Sequence, residues 1–141
     1  MPTTIETLHD HVESALPQYG PYSSEHTQTA ASLASELVRY LNHATNDTRD
    51  AVQALPYPAI TSSVIASAKV LTQRLEQLLG QLADREDQHA TDPDLRAYSR
   101  DTPPAVIAGT VAEDLRAAAQ AVGQATELLE RAHNGAARLS V

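Results

Sequence analysis

The chain has 141 residues, 42% of them apolar and 20% charged, with a formal net charge of −8. A length of this order suits one domain built on one core, and an acidic balance with no basic run argues against nucleic acid, whose phosphates are held by clustered Lys and Arg. The absence of cysteine removes disulfides, thiolate metal sites and cysteine nucleophiles together.

Aromatic residues make up 4%, all of them Tyr, so Leu, Val, Ile and Ala must fill the interior. The opening Met-Pro-Thr-Thr-Ile-Glu has neither a basic nor an apolar leader segment, and no apolar run approaches the ~20 residues that span a bilayer. The expectation is a soluble cytoplasmic protein. Lys69 is the only lysine, a bias that with the many alanines points to a GC-rich genome.

Four long or moderate apolar periodicities follow in order. Thr3 and Glu6 form a T-x-x-E capping box for a first helix over 4–16, with Ile5, Leu8, Val12 and Leu16 on its apolar face. Pro17, Gly20 and Pro21 end it, and Ser23 or Ser24 caps a second helix over 24–45, where Ala30, Leu33, Leu37, Leu41 and Ala44 share a face. A break is expected near Asn46, with Asp47 capping a further turn over 48–54. Leu55-Pro56-Tyr57-Pro58 is a rigid corner, because each proline fixes its own φ and biases its predecessor away from helix.

The corner launches the longest stripe. Ile60, Val64, Ala68, Leu71, Leu75, Leu78 and Leu82 recur at helical spacing on a helix expected over 58–89, with Ile65 and Leu79 widening the buried side. Each of its leucines, fully buried, contributes about 1.5–3 kcal/mol. Asp92-Pro93 reads as a cap and first position of an isolated turn over 94–99, and Thr102-Pro103 repeats the signal for a last helix over 103–134. There Ile107, Val111, Leu115, Ala118, Val122, Ala125, Leu129 and Ala132 keep the same stagger, Gly135 marks the end, and the tail is expected to fray. The expected fold is all-α, a single domain over 1–141 forming an antiparallel up-down bundle of three long helices and a short N-terminal one.

Few constellations carry chemistry. Glu86 with His89 and Glu130 with His133 are two Glu-x-x-His elements of the kind used by carboxylate-bridged di-metal bundles. Both sit at the C-terminal ends of consecutive helices, so an antiparallel pairing holds them at opposite poles as solvated side chains. One pole offers a smaller alternative, a metal site of His26, Glu86 and His89 with Tyr98 and Arg100 in the adjoining linker, or an anion pocket. Tyrosines at such ends are expected to seal the core with their rings. His9 and His11 diverge by about 200° on a helix, and there is no Gly-x-Ser-x-Gly elbow, P-loop or Gly-x-Gly-x-x-Gly. No catalytic residue and no cofactor is expected.

Val38-Arg39-Tyr40-Leu41-Asn42-His43-Ala44-Thr45, followed by Leu55-Pro56-Tyr57-Pro58 and the leucine-rich run from Leu75 to Leu82, resembles a group of small helical proteins of actinobacteria such as streptomycetes. The resemblance covers about the middle half of the chain and transfers no active site. It implies a bacterial accessory protein in which Arg39, Tyr40, Asn42 and His43 form a polar contact patch. The expected function is a non-enzymatic interaction or regulatory module that docks onto a protein partner or forms a homodimer. The alternative is a small-ligand or metal-binding regulator.

Overall fold

In a computed structural model, residues 4–46, 48–98 and 100–140 are described. They form five helices and, among the described residues, no strand: α1 (Thr4–Ala15), α2 (Ser24–Asn46), α3 (Thr48–Ala54), α4 (Pro58–Ala90) and α5 (Pro104–Ala136). The all-α expectation holds, and the helix bounds fall within one or two residues of those expected. Thr3 and Asp47, expected as caps, and Ser99, expected to close the isolated turn, lie outside the described residues. The chain divides into two compact units, Met1–Ala54 and Leu55–Val141. Each is described by itself.

In the first unit, Ser23 caps α2 as expected. Its Oγ accepts the His26 backbone N–H at 3.1 Å, and its carbonyl accepts the Thr27 N–H at 3.0 Å and the Thr27 hydroxyl at 2.8 Å. Gly20 carries a φ of +82°, a left-handed value that glycine adopts without penalty, at the corner between α1 and α2. α3 packs back on α2. No residue of α1 or α2 is buried, and Ile5, Leu8, Leu33, Leu37 and Leu41 are all exposed. The stripes expected to be covered on these two helices are therefore open within this unit.

The second unit is an antiparallel hairpin of two 33-residue helices. Tyr57 and Pro103 stand at the N-caps with extended ψ of 152° and 139°, each followed by a proline at the first helical position. The start of α5 thus moves one residue beyond Pro103, because a residue preceding a proline is driven out of helical geometry. Gly135 does not end α5; the helix runs on to Ala136, and Ala137 in right-handed geometry donates its N–H back to His133. Between the helices, Asp92 makes a turn over 92–95, accepting the Asp94 N–H on Oδ1 at 2.8 Å and the Leu95 N–H on its carbonyl at 3.2 Å, whereas 95–97, within the isolated turn expected over 94–99, carry no regular structure.

Contacts across the hairpin fix its direction. Ser62 meets His133, Lys69 meets Glu130, Thr72 meets Thr126, and Arg116 meets Asp84 and Asp87, so each step up α4 is a step down α5. The seam on α4 is Ser62, Ile65, Lys69, Thr72, Glu76, Leu79, Ala83 and Glu86, and on α5 it is Ala108, Ala112, Leu115, Ala119, Val122, Thr126, Leu129 and His133. Steps of three and four alternate on both, and all but Glu76 are buried or half-buried.

This seam is rotated from the stripe that the apolar periodicity predicts. Val64, Ala68, Leu71, Leu75, Leu78 and Leu82 each immediately precede a seam residue, about 100° away around the helix. Leu71, Leu75, Leu78 and Leu82 remain 38 to 45% exposed, so roughly 1 kcal/mol of transfer energy per leucine is unrealised. The physical reason is close approach. Ala83, Ala108 and Ala112 are the buried apolar residues of the seam, and small side chains let the two backbones come together where leucines would hold them apart.

Two substitutions check this packing by denaturant unfolding. Ala112→Leu overfills a site with no exposed surface and should destabilise by about 1–3 kcal/mol. Gly80→Ala adds a methyl group that meets nothing within 4 Å, and should stabilise by up to about 1 kcal/mol through helix propensity alone.

Candidate functional site

A ladder of polar pairs occupies the half of the seam nearest the start of α4. His133 Nδ1 lies 3.2 Å from the Ser62 carbonyl oxygen and 3.3 Å from Ser62 Oγ, so a protonated Nδ1 donates to the carbonyl. One turn on, Lys69 donates to Glu130, whose second oxygen accepts from Asn134 at 3.5 Å. Thr126 then donates to the Thr72 hydroxyl at 2.8 Å, which donates to the Lys69 carbonyl at 2.8 Å. Among the described residues no buried side-chain polar atom lacks a partner. Glu130 is held below its ordinary carboxylate value, first by the hydrogen bond from Lys69 and then by the lysine's charge.

The flank that follows the seam is polar beyond Ala66 and Val70. Arg116 bridges Asp87 and Asp84, the latter at 3.2 Å, and its guanidinium is raised above the ordinary value by the hydrogen bonds to Asp87 and then Asp84. Gln73 and Gln77 on α4 and Glu113, Gln120 and Glu127 on α5 share this side by position. The flank that precedes the seam is apolar on both helices except at Thr61, Arg85 and Asp114. Rotation by one residue runs in opposite senses when two helices point in opposite directions, so Leu71, Leu75, Leu78 and Leu82 fall on the same side of the hairpin as Ile107, Val111, Ala118, Ala121, Ala125 and Leu128. The hairpin therefore has one wet face and one dry face, and the dry one is open within this unit.

The sequence-derived site residues fall in separate places. In the first unit, Arg39, Tyr40, Asn42 and His43 are all exposed on α2. Arg39 is engaged by Glu36 at 3.1 Å, while Tyr40 and His43 line, with Ala44, Gln53 and Ala54, an open recess of about 440 Å³ between α2 and α3. His26 is in the first turn of the same helix. In the second unit, His89 Nδ1 lies 3.3 Å from Glu86 Oε1, and Glu86 lines a recess of about 380 Å³ with Leu95, Tyr98, Ile107 and Val111. Arg100 is exposed in the linker beyond Tyr98. Among the described residues no three His, Asp or Glu side chains gather as metal ligands.

The tyrosines differ from expectation. All five are exposed, Tyr98 entirely, so their rings seal no core. The two Glu-x-x-His elements do stand at opposite ends of the hairpin, roughly 25 Å apart at ~1.5 Å per residue. They are not free solvated pairs, however: Glu130 and His133 belong to the ladder with Lys69 and Ser62.

No family model, curated protein or solved structure matches this chain. No helix among the described residues is long and apolar enough to cross a membrane.

Apolar periodicity did not single out Lys69, Thr72, Thr126 or Arg116. The signal that finds Lys69 is a second heptad frame on α4, in which Ser62, Lys69, Glu76 and Ala83 recur every seven residues; the other three have no such mark. The Lys69–Glu130 pair makes a pH prediction. Because the folded carboxylate titrates below its ordinary value of 4.5, its stabilisation is present above that value and is lost as pH falls through the lower, folded one. Denaturant unfolding from pH 7 to pH 3 should show a loss below about pH 4.5 that is smaller in Lys69→Met.

Proposed function

We propose that this protein is a non-enzymatic accessory module that works through contact with another polypeptide, in the bacterial cytoplasm that the resemblance implies. The observation that carries the reading is the dry face of the hairpin, a band of four leucines on α4 beside Ile107, Val111 and Leu128 on α5. A contiguous apolar band of this extent, bordered by polar residues, marks a surface that is covered in use. The working architecture we propose is the antiparallel up-down bundle, with α4 and α5 as two of its rods and helices laid on the dry face as the others. The polar patch of Arg39, Tyr40, Asn42 and His43 supplies a second contact, with the recess beside Tyr40 and His43 to receive an apolar side chain.

Affinity capture from the native host tests this. The wild-type chain should retain a binding protein, a second copy included, that a Leu75→Glu, Leu78→Glu chain loses by tenfold or more. Tyr40→Ala, His43→Ala should weaken the same or another contact. Capture profiles indistinguishable among all three chains would overturn the reading.

The recess at Glu86, Tyr98, Ile107 and Val111 favours a second reading, a small-ligand regulator. Its volume of about 380 Å³ is in the range of small-molecule sites, and Glu86 with Arg96 offers a polar end to an apolar wall. His89 and His26 extend this reading to a metal. A thermal-shift screen of metabolites and divalent metals separates the two, since a ligand at about 100 times its Kd adds roughly 2.7 kcal/mol of stability. On this second reading, Val111→Glu should abolish the shift given by any hit.

A further inference from the structure

Resting on the interaction-module reading, we propose that the partner of the dry face is a second copy of this chain, with the two hairpins related by a two-fold axis parallel to the helices. In that arrangement α4 of one copy lies over α5 of the other, and all neighbouring helices run antiparallel.

Three features of the face favour this occupant. The first is shape. By the pairing of Thr72 with Thr126 and the approach of Glu76 to Gly123, the leucines from Leu71 to Leu82 stand level with the stretch of α5 that carries Ala118, Ala121 and Ala125. One side of the face is a ridge and the other a trough at the same height. A two-fold axis along the helices sets each ridge into the opposite trough, and an isologous contact needs that self-complementarity. The perpendicular in-plane axis would instead set ridge on ridge.

The second is charge. Among the positions immediately before seam residues, the dry face is interrupted near the C-terminal end of α4 by Arg85 and on α5 by Asp114, and the hairpin pairing puts these two at one level. The proposed axis brings Arg85 of each copy opposite Asp114 of the other, so the two interruptions neutralise each other twice. The third is area. The exposed parts of Leu71, Leu75, Leu78, Leu82, Ile107, Val111 and Leu128 amount to roughly 600 Å² per copy, and two copies bury on the order of 1,200 Å², the lower bound of specific, stable interfaces. The net charge of −8 per copy opposes pairing, but Asp84, Asp87, Glu113 and Glu127 are on the wet face, away from the contact.

Light scattering of the full chain should give twice the monomer mass at micromolar concentration, with the dissociation constant falling as salt rises, because screening relieves the like net charge. Leu75→Glu, which symmetry introduces twice into one dry seam, should weaken pairing at least about a hundredfold. Arg85→Glu and Asp114→Arg chains should each self-associate about tenfold more weakly, yet form a heterodimer of wild-type affinity when mixed, since both contacts are then complementary.

A readout independent of folding uses the absence of native cysteine. Under mild oxidation, a Leu78→Cys, Ala121→Cys chain should become a covalent dimer, whereas Leu78→Cys alone should not. Within one hairpin those positions point to the same side rather than at each other, and a disulfide needs Cβ vectors that converge. A wild-type monomer at several hundred micromolar, or dimers that cross-link through Leu78→Cys alone, would overturn the two-fold pairing. If capture still showed a face-dependent foreign partner, the interaction-module reading would stand without self-association; if capture too were unaffected, both would fall.

Discussion

The seam between α4 and α5 decides what every other part of the hairpin presents. Ala83, Ala108 and Ala112 allow the backbones to approach, and the ladder of Ser62 with His133, Lys69 with Glu130 and Thr72 with Thr126 admits one rotation and one axial offset. Buried and half-buried polar pairs add little net stability, but a shift in register would strand their donors and acceptors, so they select a single alignment. Once that alignment is set, the leucines have only one place to go. They stand a residue away from the seam, on a side that α5 continues with Ile107, Val111 and a run of alanines.

That outcome explains how legible the fold was. The helices themselves were plain in the sequence: Ser23 and Tyr57-Pro58 mark the starts of α2 and α4, Thr102-Pro103 marks that of α5 one residue early, and the spacing of Ile60 to Leu82 and Ile107 to Ala132 marks the extent of the two long ones. Which side of α4 meets α5 was not. Hydrophobicity nominates the leucine frame, because burial of leucine exceeds burial of alanine or threonine in transfer energy. The frame that α5 occupies is carried by Ser62, Lys69, Thr72 and Glu76, which read as exposed in isolation and become intelligible only with Thr126, Glu130 and His133 opposite. A partner more than fifty positions away leaves no local mark on the chain.

The candidate sites were legible to a similar depth. The text around Arg39 to His43 lies on an exposed surface next to a recess, and Glu86 and Tyr98 line another. The geometric separation of Glu86 with His89 from Glu130 with His133 followed from helix direction alone, and the hairpin has that direction. Their surroundings did not follow, because Lys69 and Ser62 claim Glu130 and His133 from the facing helix. The tyrosines misled in the opposite sense: a ring seals a helix end only when a core reaches that far, and here the innermost residues are alanines.

Arg116, clasped by Asp84 and Asp87, has an effect beyond tying two helices. A layer of hairpins could in principle keep stacking, each new sheet of rods covering the last, as happens when a surface is sticky on both sides. Here the reverse side bears Arg116 between two aspartates, further carboxylates and glutamine, and drying it would strip their hydration. On the proposed pairing, growth terminates after one layer, and the same residues that brace the rods keep the particle finite.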